Sequence, residues 1–357
     1  MRTMPDTETR GAIRALRPGD IPALVSLRRR AFRLSERGSP QALDEYFRTV
    51  FLENPWFDPT LPSLVHENEQ GDVTGFLGVL PRRMTWNGRR IRVAVGTQLM
   101  VSPHEPGIVS RRIARVFVDG PQDLALADTA NDAAQRIWTS VAGVTSATLS
   151  LTWSRPLRPL RHALELLGPG AAARAARAAL TPLAGWFERS PARAEPVEVL
   201  TPDGACRIAD DVFSAFALRP GYDVTGFAWL LARAREKRQF GPLESGLVRD
   251  ARGEGAGWFL YHIGDSRVAH VLQVAAHPHH LDHVLRAMFR HAWSRGAIAL
   301  TGRAEPWMLR GLAATGHVSV QPGPWTLLYS RDPGIAHAIE RGTGYVSRLD
   351  GEWWLSF

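Results

Sequence analysis

The chain has 357 residues, 45% of them hydrophobic and 22% charged, and a formal net charge of +8. That length is long for one domain and comfortable for two, and the composition is that of an ordinary soluble globular protein. A single cysteine, Cys206, excludes an internal disulfide and a cysteine-rich metal site, and no apolar run reaches the length of a membrane-spanning helix.

The basic charge is almost all arginine, with Lys237 the single lysine among 43 basic residues. Such an excess favours anionic partners: a phosphorylated cofactor, an anionic polymer or a lipid surface. Abundant arginine and alanine are equally what a GC-rich genome produces. The lone cysteine and the absence of an apolar leader in MRTMPDTETRGAIRAL point to a cytoplasmic protein.

IRALRPGDIPALVSLRRRAFR opens with a strand, after which Asp20 caps a helix that sets Leu24, Leu27 and Phe32 on one side. DVTGFLGVLPRRMTWNG and RRIRVAVGTQLMVSP form two strands around an Asn87-Gly88 turn. The stretch VSPHEPGIVSRRIARVF then ends a strand, makes a loop and starts a basic helix. A strand running into a helix N-terminus is a place for phosphate, and equally a simple turn. A short strand LALADTA, a helix NDAAQRIWTSVAG and a strand SATLSLTW follow.

Residues 155–197 differ in character, being rich in Arg, Ala and Pro, with Leu157, Leu160, Leu164 and Leu167 on one helical face. They read as a helical linker packed on the sheets, or as a lid or basic amphipathic contact with a membrane surface. After them the order repeats. GWFLYHIGDSRVAHVLQVAAHP is a hairpin turning at Gly264-Asp265. LDHVLRAMFRHAWSRG is a helix closing on Gly296. AIALTGRA, EPWMLRGLAATG and strands through Trp325 and Tyr329 complete the block. Hairpin, helix, strand, helix, strand thus occurs twice, which predicts an α/β (α+β) chain of two domains, each with a mixed, mostly antiparallel sheet flanked by helices.

The element order of residues 11–153 resembles the GNAT superfamily of N-acetyltransferases, and residues 198–357 look like a weaker second copy. The whole resembles the tandem-GNAT proteins of bacteria, some of them tied to exopolysaccharide or cell-envelope pathways. The expected division is a GNAT-like domain over 1–154 with a candidate acyl-CoA site, a linker or lid over 155–197, and a GNAT-like domain over 198–357 without its own CoA site. In the superfamily a strand ending Val-x-Pro leads into Arg/Gln-x-x-Gly-x-Gly/Ala, whose backbone N–H groups hold the pyrophosphate of acetyl-CoA. Val101-Ser102-Pro103 matches the strand end, and His104, Gly107 and Val109 fall on the three loop positions. Val109 departs from the pattern because its branched side chain would crowd the phosphates, and Pro106 removes one N–H. Ser110, Arg111 and Arg112 offset this with a hydroxyl and two charges. Asn131 matches the residue that contacts the CoA arm, with Ala134 three positions on, although Asn131 is also a good helix cap. The general-acid Tyr of the superfamily is replaced here by Trp138, which cannot protonate a thiolate.

The resemblance implies acetyl-CoA, or another acyl-CoA, as co-substrate, with no metal. Leu99, Met100 and Val101 would contact the acyl-pantetheine arm through their backbone. His104, Gly107, Val109, Ser110 and Arg111 would serve the pyrophosphate, and Asn131 the CoA arm. Asp128 and Glu53 are the candidate bases, with Asp128 alternatively a plain loop acid. Tyr46 and Tyr261 are distant proton donors. The end of the chain, SRLDGEWWLSF, is either a final strand packing its Trp residues inward or a cleft segment. In the cleft reading Asp350 and Glu352, with Tyr261, bind substrate. His279 and His283 have a zinc-compatible spacing, but His280 stands where an HExxH glutamate would be.

Three functions follow from these features. The first is an acyl-CoA-dependent N-acyltransferase, a probable acetyltransferase in kind, acting on an amine such as an amino sugar or a cell-envelope or exopolysaccharide precursor. The second is an aminoacyl-tRNA-dependent transferase of peptidoglycan-bridge type. The third is a non-catalytic GNAT pair that binds a glycan or a protein partner. No helix-turn-helix or RNP-type motif points to specific nucleic-acid binding.

Overall fold

The structure is a computed structural model that describes residues 11–31, 39–103, 107–141, 143–168, 170–187 and 197–353. The first block runs β1 (Ala12–Ala15), α1 (Ile21–Ala31), α2 (Pro40–Phe51), β2 (Leu64–Glu67), β3 (Val73–Trp86), β4 (Arg89–Val101), α3 (Ile108–Val118), β5 (Leu124–Ala130), α4 (Asp132–Ser140) and β6 (Val144–Ser146). Next come β7 (Leu151–Pro156), α5 (Pro159–Glu165) and α6 (Ala171–Phe187). The second block runs α7 (Pro202–Val212), β8 (Leu218–Pro220), α8 (Val224–Arg235), β9 (Leu243–Arg249), β10 (Gly255–Ile263), β11 (Val268–Ala276), α9 (Leu281–Ser294), β12 (Ala299–Arg303), α10 (Leu309–Ala314), β13 (Ser319–Pro322), β14 (Trp325–Ser330) and α11 (Pro333–Arg341).

The repeat read from sequence is present; the Asn87-Gly88 turn forms as expected, while the second hairpin turns one residue later than expected, with Asp265 and Ser266 central and the Arg267 N–H donating to the Gly264 carbonyl at 3.0 Å. Asn87 and Gly88 take φ of 50° and 79°, the mirror-image geometry that a two-residue hairpin needs. Gly296 ends α9 at φ 84°, where a side chain would be strained. Asp20 differs from expectation. It lies in a 3-10 turn before α1, and its carboxylate takes the Arg17 N–H at 2.8 Å and both terminal nitrogens of Arg14 at 2.7 and 2.8 Å. Phe32 lies outside the described residues.

The two sheets exchange strands. The first has the order β1-β2-β3-β4-β5-β14-β6, with β8 joining β3 at its far end; the second has β13-β7-β12-β11-β10-β9. Strand β7, which follows the first block, pairs antiparallel with β12 and β13 in the second sheet. Strand β14, from the second block, lies antiparallel between β5 and β6 in the first. Within each sheet one pair is parallel, β4 with β5 and β11 with β12, and the remaining pairs are antiparallel. A boundary drawn at 154/155 therefore falls inside a strand of the second sheet.

One apolar core runs across both blocks, from Leu24, Phe47 and Phe76 to Phe213, Phe227, Trp258 and Tyr345. A second lies beneath α9, and a third beneath α3 and α4. The final segment after α11 is not a strand. Residues 344–351 pass through the interior as an irregular stretch in which every residue is buried, and Tyr345 anchors it with its hydroxyl on the Val274 carbonyl at 2.7 Å. Helices α5 and α6 pack on one another, leaving Leu166 and Leu167 exposed. Among the described residues no helix is long and apolar enough to cross a membrane.

The strand exchange sets a test. A fragment of residues 1–154 leaves β5 and β6 without the strand between them, so it should fail to fold alone. The full chain should unfold in one cooperative transition. Circular dichroism and amide exchange on both would check this, and an independently folded fragment would contradict it.

Candidate functional site

Strand β4 carries a bulge. Thr97 faces Gly78 and Met100 faces Phe76, so Gln98 and Leu99 stand opposite the single residue Leu77, and Gln98 takes φ 51°. Parallel pairing of β4 with β5 covers only Val93–Val95 against Leu124–Leu126. Beyond that point the carboxyl of Glu352 bonds to both strands, through Thr97 on β4 and the side chain of Thr129 on β5; the Thr129 N–H donates to it at 3.3 Å. Burial, with Asp128 nearby, pushes the Glu352 carboxyl up to about 7.

The neighbouring groups hold Glu352 in place. The Glu352 N–H donates to Asp128 Oδ1 at 2.7 Å. Gly351 packs directly on that carboxylate, and a Cβ there would lie 2.2 Å from Asp128 Oδ2, so glycine is required by close approach. Asp128 is ion-paired with Arg303 at 3.1 Å, with the two side chains 0% and 2% exposed. Arg303 also donates to the Val346 carbonyl at 2.9 Å and lies 3.6 Å from Glu305. Glu305 accepts from the Trp307 indole at 3.0 Å, and burial raises its carboxyl to about 7.

Tyr46 on α2 reaches the β4 bulge. The Gln98 side-chain amide donates to its hydroxyl, and Arg28 donates to the Gln98 carbonyl oxygen at 2.6 Å. Burial raises the Tyr46 hydroxyl well above its ordinary value, so it stays protonated at any physiological pH.

The loop expected to hold phosphate is partly described, with His104, Glu105 and Pro106 outside the described residues. Gly107 caps α3 at φ 90°, and a Cβ placed on it would meet nothing within 4 Å. The expected crowding by Val109 is corrected. Its side chain is fully buried, turned inward against Gly75 in the core beneath α3, away from the open side of the loop. Ser110 is buried too, Arg111 is exposed on the first turn, and Arg112 donates to the Gly11 carbonyl at 2.9 Å. Leu99 and Val101 are half-buried on β4, and Met100 is buried in the core. Asn131 serves as a cap, its side chain accepting the Ala134 N–H at 2.9 Å. Trp138 is a core residue whose indole donates to the Leu328 carbonyl at 3.2 Å on the exchanged strand.

The structure places three other candidates as follows. Tyr261 takes an inward position on β10 that buries it completely beneath α9, with its hydroxyl 2.7 Å from His291 Nδ1. Asp350 is an internal lock, taking the Tyr222 hydroxyl at 2.6 Å, the Ser347 hydroxyl at 2.7 Å and the Ser347 N–H at 3.1 Å. Glu53 stands exposed at the end of α2. His279 and His283 do not converge on an ion. The His279 N–H donates to His277 and the His283 ring meets the Arg249 carbonyl, and among the described residues no group of three ligands could hold a metal. Trp354 lies outside the described residues.

Sequence reasoning named Asp128 and Glu352 but missed the cations around them. Lys237, Arg303 and Arg348 come from three separate stretches, and only the singularity of Lys237 marked it. Thr97, Thr129 and Gln98 carried no signal in the sequence.

No family model and no curated protein matches the sequence. Solved structures do match in fold. A probable N-acyltransferase from Enterococcus faecalis V583 aligns with a TM-score of 0.59 at 12% identity, over 94% of this chain and 74% of that one. A GCN5-related N-acetyltransferase from Kribbella flavida aligns at 0.57 and 15%, over 90% and 72%. The N-myristoyltransferase of Saccharomyces cerevisiae with bound myristoyl-CoA aligns at 0.50 and 11%, over 92% and 84%. The chain shares its fold, over both sheets, with these acyltransferase structures.

The raised carboxyls make stability depend on pH. The folded state holds the protons of Glu352 and Glu305 more tightly than the unfolded chain, where such a carboxyl titrates near 4.5. That stabilisation is complete below the unfolded value and is lost as pH rises through about 7. Each group accounts for at most ~3 kcal/mol. Glu352→Gln should therefore flatten the fall in melting temperature between pH 5 and pH 8, as read by calorimetry. An unchanged pH profile would contradict the burial of an ionisable carboxyl at this point.

Proposed function

We propose that this chain is an acyl-CoA-dependent N-acyltransferase acting on an amine, with Glu352 as its general base. The observation that carries the proposal is the Glu352 carboxyl bridging β4 and β5 at the bulge, in a fold shared with N-acyltransferases. A carboxyl that titrates near neutrality is matched to taking a proton from an alkylammonium group.

The acyl donor lies along β4, with the bulge at Gln98 and Leu99 offering backbone N–H groups to the thioester carbonyl. Its phosphates meet the first turn of α3, where Gly107 leaves open space and Arg111 adds charge. Glu352 accepts the ammonium proton, and the amine nitrogen attacks the carbonyl. A C–N bond forms and the C–S bond breaks. Tyr46, rather than the buried Trp138, stands beside the bulge with a retained proton for the departing thiolate. Asp128 is a positioning residue: its carboxylate is committed to Arg303 and to the Glu352 N–H. The acyl-CoA site belongs to the first block, completed by β14. Acetyl is the acyl group proposed, and an amino sugar or an envelope precursor is the acceptor class.

A second reading, a non-catalytic pair, is favoured by the same contact, since Glu352 closes on the gap that the donor would share. Calorimetry with acetyl-CoA separates the two. Wild type should bind and Gly107→Arg should not, because φ 90° strains any side chain there and the added bulk fills the open side of the loop. Absence of binding to acetyl-CoA, longer acyl-CoAs and CoA itself would favour the non-catalytic pair. With an accepted amine in hand, Glu352→Gln should lower kcat by about 10²–10⁴ while leaving acyl-CoA binding intact. Tyr46→Phe should lower kcat by about tenfold or more and leave the acidic limb of the pH–rate profile in place.

A further inference from the structure

The space between the sheets holds four cations and four carboxylates: Arg82, Lys237, Arg303 and Arg348 against Asp128, Glu305, Asp350 and Glu352. All are buried except Glu352, which is half-buried. Their pairing is uneven. Arg303 has Asp128, Glu305 and a carbonyl. Arg82 donates to the Asp350 and Pro81 carbonyls, both at 3.0 Å. Every carboxylate is engaged as well: Asp128 by Arg303 and the Glu352 N–H, Glu305 by Trp307, Asp350 by Tyr222 and Ser347, Glu352 by Thr129.

Lys237 and Arg348 are left over. They are 5% and 7% exposed, and among the described residues neither side chain makes a direct hydrogen bond or ion pair. Both lie against one ring. The Lys237 ammonium is 4.0 Å from the centre of Trp353 and 5.0 Å from Phe240, and the Arg348 guanidinium is 5.3 Å from Trp353. Behind them His262 is fully buried, with its Nε2 lacking any hydrogen-bond partner. Two like charges at such low exposure with no direct ion pair are costly, and the more distant carboxylates and an aromatic face offset only part of that cost. The Lys237 ammonium is brought down to about 7, by burial first, with Asp128 opposing and Arg348 contributing, and burial with Arg303 nearby lowers Arg348. Trp353 directly follows Glu352, so the unpaired charges sit beside the proposed base.

We propose that Lys237 and Arg348 form a receiving site for an anionic group, a carboxylate or a phosphate, carried by the amine acceptor. This rests on the acyltransferase reading for the word acceptor. The site itself rests on the two unpaired buried cations. The anion pairs directly with both cations, and Trp353 fixes the acceptor next to Glu352, so that the enzyme selects anionic amines over neutral ones. The phosphates of an acyl-CoA share this chemistry, and the two sources are separated by which KM responds.

Two measurements on the full chain test it. The first needs no turnover: thermal melting and calorimetric titration with inorganic phosphate, comparing wild type with Lys237→Met and Arg348→Gln. Phosphate should raise the wild-type melting temperature, and the response should vanish in Lys237→Met. That variant should melt above wild type without phosphate, since it removes a largely buried charge that has no direct ion pair and keeps the packing against Trp353. An equal phosphate response in both proteins, or a Lys237→Met protein that melts lower, overturns the site. If Arg348→Gln does not fold, Lys237→Met decides alone. The second compares acetyl-CoA turnover with matched amines, glycine against glycinamide and O-phosphoethanolamine against ethanolamine. The anionic member should lead by at least about tenfold in kcat/KM, and Lys237→Met should erase that lead through the acceptor KM. A rise in the acetyl-CoA KM instead assigns the anion to the donor and overturns the acceptor assignment. No turnover with any amine counts against the acyltransferase reading, and the phosphate titration then decides the anion site by itself.

Discussion

Each sheet is incomplete without a strand from the other block, and the rest of the architecture depends on that exchange. Strand β14 fills the gap between β5 and β6, and β7 fills the corresponding gap between β12 and β13. A strand missing from the middle of a sheet leaves rows of N–H and C=O groups unpaired inside the protein, which is prohibitive. The exchange therefore ties the blocks together through backbone hydrogen bonds as well as through side-chain packing. It also fixes where the chain goes after β14: through α11 and back between the sheets.

That return path explains why a buried charged cluster exists at all. The segment 344–353 has no strand ladder to satisfy its backbone, so side chains from both blocks do so. Arg82 takes the Asp350 carbonyl, Arg303 the Val346 carbonyl and Asp128 the Glu352 N–H. Breaking any of these would leave a buried charge or amide unpaired, a larger loss than the bond itself. The same clamps hold Glu352 across the gap between β4 and β5. The structural role of Asp128 and Arg303 and the proposed chemical role of Glu352 are thus one arrangement, in which a shell of ion pairs sets a single carboxyl against the strand bulge.

The second block carries the same layout without the features of a donor site. The turn before α9 is Pro278–His280, with no glycine where Gly107 stands in the first block. What the second block contributes to the candidate site is Arg303, Lys237, Arg348 and the returning tail. On the proposed function, one half offers the phosphate loop and the other encloses the reacting groups and supplies their charges.

The sequence by itself determined the two hairpin–helix–strand–helix–strand orders and their repetition, because turn chemistry and hydrophobic period are local properties: Asn87-Gly88 and Gly296 need no distant partner. It also placed Gly107, Asn131 and the acids Asp128 and Glu352 as candidates, by order along the chain. Only the tertiary structure decided which of these meet. The partners of Asp128 and Glu352 lie 175 and 224 residues apart in the chain, and pairings over such separations leave no periodic trace. Val109 and Tyr261 show the same limit in the opposite sense. Each has the residue type or position of a functional group, and each is spent on the core, because the pleat of a strand or the inner face of a helix decides which way a side chain points. The strand exchange was equally invisible, since β7 and β14 read as ordinary strands and nothing local tells a strand which sheet lacks one.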